Sequence, residues 1–329
     1  MPELLLAIGA FAVGLLGLIW SANIFVGGSA ATAQHLGMSR AMIGLTVVAL
    51  GTSAPEMIVS AGAALEGEPG LGIGNAVGSN IANIGLVLGV TALLGVIPVA
   101  RGVLRLELPL LLLATLAAIA VVWDGQLLRL ESSLLLFATI LLPVVLLAQA
   151  RAGNDDALAH SLEEDIPDFS RGKAMAWLLG GLIALLVSAD VLVWGATQTA
   201  TALGVSPMVI GLTIVALGTS LPELAASVAS AIKGHYEMAL GNIVGSNILN
   251  ILAVMSLPGI LAPGPISAAL LQRDMVTMTI MTVVLALLMW RLVSDDADPA
   301  VGIGRKCGLL FLAGYIAYYA VIALQLSGN

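Results

Sequence analysis

Residues 43–84 read IGLTVVALGTSAPEMIVSAGAALEGEPGLGIGNAVGSNIANI, and two apolar segments meet in this stretch. Each is interrupted by residues that a lipid-facing helix avoids. In the first, Gly51-Thr52-Ser53-Ala54-Pro55-Glu56 sets a glycine, two hydroxyls, a proline and a carboxyl inside an apolar run. Proline lacks the backbone donor and clashes with the preceding turn, so a bend or break is predicted at Pro55. The carbonyls around Ala49 and Leu50 would then need partners, and inside a membrane a bound cation can serve. A carboxyl near mid-bilayer costs several kcal/mol, so Glu56 marks a functional site by default. The second segment carries Asn75, Ser79, Asn80 and Asn83; Ser79 and Asn83, four residues apart, share a helix face.

The same stretch occurs again. Residues 210–251 read IGLTIVALGTSLPELAASVASAIKGHYEMALGNIVGSNILNI, with no gap relative to the first copy. Gly51 matches Gly218 and Asn83 matches Asn250, both at an offset of 167 (218−51 and 250−83). The register extends backwards: Leu36-Gly37-Met38-Ser39 matches Leu203-Gly204-Val205-Ser206, and Ser21-Ala22 matches Ser188-Ala189. The chain is a duplicated half-molecule.

Composition sets the class. With 59% hydrophobic and 10% charged residues and a mean hydropathy of +1.06, the chain reads as polytopic in a membrane. The net charge of −8 is no argument for nucleic-acid or acidic partners, because nine of the 20 acidic residues fall in two short hydrophilic loops. No obligate protein partner is indicated. The single cysteine, Cys307, excludes an internal disulfide, and no Cys/His cluster points to zinc. The opening segment lacks a basic n-region and an A-x-A site, so it is read as a retained first helix.

Apolar runs of membrane length are predicted near Glu3–Val26, Ala41–Leu65, Leu71–Ile97, Val103–Val122 and Gln126–Ala148, and again near Ala174–Thr197, Met208–Ile232, Met238–Leu261, Ala268–Leu292 and Gly304–Leu326. The expected layout is a five-helix repeat over 1–150, a cytoplasmic linker over 151–173 and a second repeat over 174–329. Five is odd, so the halves enter the membrane from opposite sides. The fold class expected is therefore an all-α polytopic membrane protein of about ten helices, built as two inverted repeats with broken helices at the GTSxPE motifs.

Placing the N-terminus outside puts Arg40, Arg101, Arg105, Arg151, Arg171, Lys173, Lys233, Arg291, Arg305 and Lys306 inside, leaving only Arg129 and Arg273 outside. Ten of the twelve basic residues on one side is the positive-inside pattern, with both termini outside. Asp155, Asp156, Glu163, Glu164, Asp165 and Asp168, and in the last inside loop Asp295, Asp296 and Asp298, read as solvated linker charge. Asp190, whose repeat partner is Asn23, is open between an ion-shell and an interfacial role.

Inverted repeats bring corresponding residues around a pseudo-two-fold axis near mid-membrane, so Glu56 and Glu223 are expected to face each other. Two carboxylates alone in low dielectric repel; a cation between them removes the conflict. Thr52, Ser53, Thr219 and Ser220 add hydroxyl oxygens, the broken helices add carbonyls, and Ser79, Asn83, Ser246 and Asn250 add more oxygen. Such a shell suits calcium and sodium. Magnesium prefers a small octahedron and keeps its waters, and copper or zinc would need imidazole or thiolate. Gly74, Gly78, Gly241 and Gly245 are read as permitting close helix packing.

The segments GTSAPE…GNAVGSNIAN and GTSLPE…GNIVGSNILN resemble the paired alpha-repeats of the sodium/calcium exchanger family, and the resemblance spans both halves. It implies ten transmembrane helices and a central site with separate places for sodium and calcium. On this resemblance Glu56 and Glu223 are the chief ligands, and Thr52 and Thr219 help to hold calcium. The outer sodium places would use Ser53, Ser220 and the carbonyls of Ala49 and Ala216, with Ser79, Asn83, Ser246 and Asn250 one helix later. Some family members carry Asp where this chain has Asn83 or Asn250, so only two acids remain here. Proton/calcium exchangers of the superfamily have a further acid in the second segment, which GNAVGSN and GNIVGSN lack. The function expected is a sodium/calcium antiporter of a cytoplasmic (inner) membrane, without cofactor or covalent chemistry, carrying Ca2+ and Na+ by alternating access. The alternatives are a proton- or potassium-coupled cation exchanger and, from another class, a cation channel; no nucleophile–base pair points to an enzyme.

Overall fold

Two helices are much longer than a bilayer requires. α1 (Pro2–Leu36) has 35 residues and α7 (Arg171–Ala202) has 32. Both outrun the apolar stretches expected from the sequence, because polar ends such as Gln34 and His35 continue the helix without apolar side chains. The computed structural model describes residues 2–152, 169–205, 214, 216–294 and 301–327.

Between and after the two long helices come α2 (Arg40–Thr52) and α3 (Ala54–Leu65), a pair bent by 41° at Ser53, then α4 (Pro69–Leu94), α5 (Val103–Val121) and α6 (Arg129–Ala152). The second half has a short helix at Ala216–Gly218 and α8 (Leu221–Ile232), both in the seventh apolar run, then α9 (Tyr236–Leu261), α10 (Leu270–Arg291) and α11 (Arg305–Ser327). The offset of 167 carries α3 onto α8 and α4 onto α9 at both ends. The fold is all-α and polytopic, with two five-helix repeats.

The inversion is written in how α1 and α7 touch. A Cβ on Gly14 would fall 2.5 Å from the backbone nitrogen of Leu192, while one on Gly28 would strike the backbone of Leu178. Moving up one helix means moving down the other, so the pair is antiparallel. The repeat mates of these glycines do the same in reverse: Gly181 meets Phe25 at 2.6 Å and Gly195 meets Phe11 at 2.5 Å. Four glycines thus form a seam along which two backbones nearly touch, the small-residue packing that membrane helices use in place of hydrophobic drive. Leu18, Phe25, Leu178 and Leu185 lie in a cluster of their own with Ile43, Val48, Ala226 and Met238. A second, larger cluster joins α4, α5, α9, α10 and α11. Leu5, Leu6, Val13, Leu16 and Ile183 on α1 and α7 are exposed, the mark of a lipid-facing surface.

Short ladders tie the loops: β1 (Ile97–Ala100) pairs with β4 (Val293–Ser294) in parallel and with β5 (Gly302–Ile303) antiparallel. β2 (Gln126–Leu127) pairs with β3 (Gly264–Pro265). Of the expected linker, 151–152 end α6 and 171–173 begin α7, where the Ser170 side chain caps the helix by accepting from the Lys173 N–H at 3.4 Å. Asp155, Asp156, Glu163, Glu164, Asp165, Asp168, Asp295, Asp296 and Asp298 lie outside the described residues.

Candidate ion site

The break comes two residues before the proline. Ser53 leaves helical geometry (φ −83°, ψ 4°), and Pro55 sits in the first turn of α3, where its missing donor would be unsatisfied in any helix. Ser220 repeats this almost to the degree (φ −86°, ψ 3°). The Ala49 carbonyl is not left free: it accepts from the Ser53 N–H at 3.0 Å and lies 3.4 Å from the Thr52 hydroxyl. Any further partner must use its second lone pair. Ala216 opens the equivalent short helix, Ala216–Gly218.

Glu56 and Glu223 are both buried, at 0% and 1% exposure, and Glu223 lies close enough for its charge to act on Glu56. The Ser53 hydroxyl donates to Glu223 Oε1 at 3.1 Å. Glu223 Oε2 and both oxygens of Glu56 have no hydrogen-bond partner. Thr219 and Ser79 stand against Glu56, while Thr52 and Ser53 stand against Glu223. Glu223 is therefore faced by two hydroxyls of the opposite repeat, and Glu56 by one from the opposite repeat and one from its own. Asn83, Asn250, Ser220 and Ser246 are buried, and their side-chain polar atoms are also unpartnered. Thr219 Oγ1 joins them. Buried polar groups are ordinarily satisfied, so this concentration of orphaned polar atoms, most of them oxygens, marks a centre suited to something that accepts lone pairs. A cation fits that chemistry.

α4 and α9 each change from α to π geometry at the same repeat position: Asn83–Leu88 and Asn250–Val254 are π-helical. In the second, the Met255 N–H reaches back five residues to the Asn250 carbonyl at 2.8 Å. Such bulges collect at functional sites, and here each begins on an orphaned asparagine.

The sequence reading missed the struts beneath the site. Asn75 Nδ2 donates to the Glu56 carbonyl at 3.2 Å and to Ser60 Oγ at 3.1 Å. Its mate Asn242 donates to the Glu223 carbonyl at 3.4 Å and to Ser227 Oγ at 3.0 Å, and its Oδ1 accepts from Thr52 at 3.3 Å. The recurrence of Asn and Ser at the 167 offset was the available signal.

Asp190 and Asn23 are both exposed and belong to the periphery. The Asn23 carbonyl accepts from Lys233 Nζ at 2.6 Å, and partial burial lowers the Lys233 pKa from its ordinary value. Gly241 and Gly245 do pack tightly, against the backbone of Ala41 and Leu45. The corresponding neighbours of Gly74 and Gly78 are residues 208 and 212, outside the described residues; among those described, Gly74 meets only Leu270, at 3.8 Å, and Gly78 nothing within 4 Å.

An inverted pair of helix repeats closing on a buried, oxygen-lined centre at two broken helices is the architecture of a secondary transporter. Residues 6–148 and 173–324 match the family described as sodium/calcium exchanger protein. CaxA of Alkalimonas amylolytica is 45% identical over 308 residues, covering 93% of this chain and 95% of that one. The inner membrane protein YrbG of Escherichia coli (strain K12) is 40% identical over 323 residues, with 97% of each covered. A solved structure of the sodium-calcium exchanger NCX_Mj, soaked with zero Na+ and Ca2+, superposes with a TM-score of 0.81 at 36% identity, covering 97% of this chain and 99% of that one. The chain belongs to the sodium/calcium exchanger family, whose members are transporters rather than enzymes.

Proposed function

We propose that this protein exports calcium against sodium across a cytoplasmic membrane, by alternating access, with both termini outside. The observation that carries the reading is the facing pair Glu56 and Glu223, fully buried with three of their four oxygens unpartnered. Two ionised acids match one calcium in formal charge. In this reading Thr52 and Thr219 complete the calcium shell, and Ser53, Ser220, the Ala49 and Ala216 carbonyls, Ser79, Asn83, Ser246 and Asn250 provide oxygens for sodium. The repeats, 1–150 and 174–329, move against each other about the linker 151–173. The exchange named for NCX_Mj and the membrane named for YrbG support this assignment. The test is calcium uptake into liposomes loaded in turn with sodium, potassium or a proton excess. Uptake only with internal sodium is expected. Uptake with protons or potassium alone would replace the coupling ion, and calcium flux with no counter-ion would make the protein a channel.

Sidedness has its own test. With Cys307 replaced by Ala, Ser161→Cys is expected to react with an impermeant thiol reagent only from the cytoplasmic face. A cysteine added after Asn329 should react only from outside. Reaction of both from one face would overturn the orientation.

Asn250→Asp tests the ion shell. Glu56 and Glu223 balance a calcium, but more than two sodium ions leave an excess positive charge, which is costly in low dielectric. A third carboxylate relieves that excess. Sodium on the calcium side is expected to inhibit uptake more strongly, by roughly 1–2 kcal/mol of apparent affinity. If the new acid takes a proton instead, the variant matches the parent at low pH and diverges as pH rises. Unchanged sodium inhibition from acid to alkaline pH would remove Asn250 from the shell.

A further inference from the structure

Beneath the two glutamates the asparagine hydrogen bonds within each repeat are matched, whereas three buried bonds between the repeats are not. Asn75 and Asn242 make the same two bonds in their own halves. Across the repeats, Thr52 donates to Asn242, Ser53 to Glu223, and Asn80 Nδ2 to the Asn247 carbonyl at 3.2 Å. The mirror donors Thr219, Ser220 and Asn247 make none of the mirror bonds, and their side-chain polar atoms stand buried and unpartnered. These three buried bonds point from the first repeat to the second, while at the surface Lys233 and Arg305 donate the other way, to the Asn23 and Leu93 carbonyls.

In an inverted repeat, letting the halves trade conformations turns a state open to one side into a state open to the other. The three bonds then trade direction too. Thr52 and Ser53 belong to the ion shell and answer to its occupancy. Asn80 and Asn247 lie outside that set, at the contact of α4 with α9, with 2% and 0% exposure. Resting on the alternating-access reading above, we infer that Asn80 and Asn247 are positioning residues that set which side of the membrane the site faces, each donating to the other's backbone carbonyl in one orientation only.

The two donors are not equivalent, and the sequence says why. Asn80 Nδ2 also lies 3.4 Å from Met278 Sδ on α10. The repeat mate of Met278 is Leu111 (278−167), which has no acceptor to offer Asn247. Met278 thus favours the orientation in which Asn80 is the donor.

The test uses the full chain in liposomes of one orientation, with the calcium half-saturation of sodium-driven exchange measured at each face in turn. Apparent affinity scales with the population of the orientation that exposes the site, so a change of balance strengthens binding at one face and weakens it at the other. Asn80→Ala is expected to shift the ratio of the two half-saturation values by about fivefold, the worth of one net hydrogen bond. Asn247→Ala should shift it by a similar factor in the opposite direction, and the double variant should return it near the parent value. Met278→Leu, which conserves volume, should move the ratio in the same direction as Asn80→Ala, by less. Asparagine variants that weaken both faces alike, or shift the ratio the same way, would overturn the inference. Should either alanine variant not fold, an unchanged ratio in folded Met278→Leu overturns it. A parent protein that exchanges no calcium for sodium would instead overturn the transport reading on which it rests.

Discussion

Glu56→Gln is expected to lose sodium-driven calcium uptake by about 150- to 5000-fold, the ~3–5 kcal/mol lost when one partner of a buried charge set is removed, while still yielding folded protein. Glu223→Gln should fall in the same range. The amide keeps the shape of the side chain but leaves a divalent ion against a single formal charge. Glu56 has both oxygens unpartnered whereas Glu223 accepts from Ser53, so Glu223→Gln also places an amide against that hydroxyl. Glu131, half-buried in the first turn of α6 where it accepts from the Leu128 N–H, serves as the control: Glu131→Gln should transport as the parent does. Parent-like uptake by either site variant at limiting calcium would remove that carboxylate from the ion path.

Gly181→Val is expected to lower stability by about 3 kcal/mol, the upper end of what overpacking costs, because its new Cβ meets Phe25 backbone at 2.6 Å. Backbone cannot rotate away as a side chain tip can. The neighbouring Gly180 has nothing within 4 Å of its Cβ position. Gly180→Val carries the same β-branched penalty within the same helix, so the difference in Tm between the two variants isolates the seam. Gly14→Val should resemble Gly181→Val, since the two glycines are repeat mates. Equal Tm values for Gly180→Val and Gly181→Val would mean that α1 and α7 do not meet here.

Much of this architecture was legible because one number, 167, relates so many residues. It paired Glu56 with Glu223, and the odd number of apolar runs in each half inverted one repeat against the other. It also related helices whose ends coincide in the structure, α3 with α8 and α4 with α9. What escaped depends on contacts across the two halves. The proline drew attention to Pro55, yet the chain turns at Ser53, because a proline is harmless in the first turn of the helix it begins. Asn75 and Asn242 looked like two more polar residues in an apolar run; only the folded helix shows them bracing the glutamate backbones. Asp274 and Glu107 are also repeat mates (274−107 gives 167), both buried, but Asp274 is held by Arg273 at 2.6 Å and by Tyr318 at 3.0 Å. No pattern in the GTSxPE segments announces that pair.

The length of α1 and α7 reaches beyond the protein. At 35 and 32 residues, they measure about 52 and 48 Å at ~1.5 Å per residue, against a hydrocarbon layer of roughly 30 Å. In a bilayer, a surplus of this size is accommodated by tilt or by ends that reach among the headgroups. The glycine seam binds the two rods back to back, so neither can change its slant without the other. Bilayer thickness therefore acts on both as a single lever, and the acyl-chain length of the host lipid becomes a mechanical load on the exchanger.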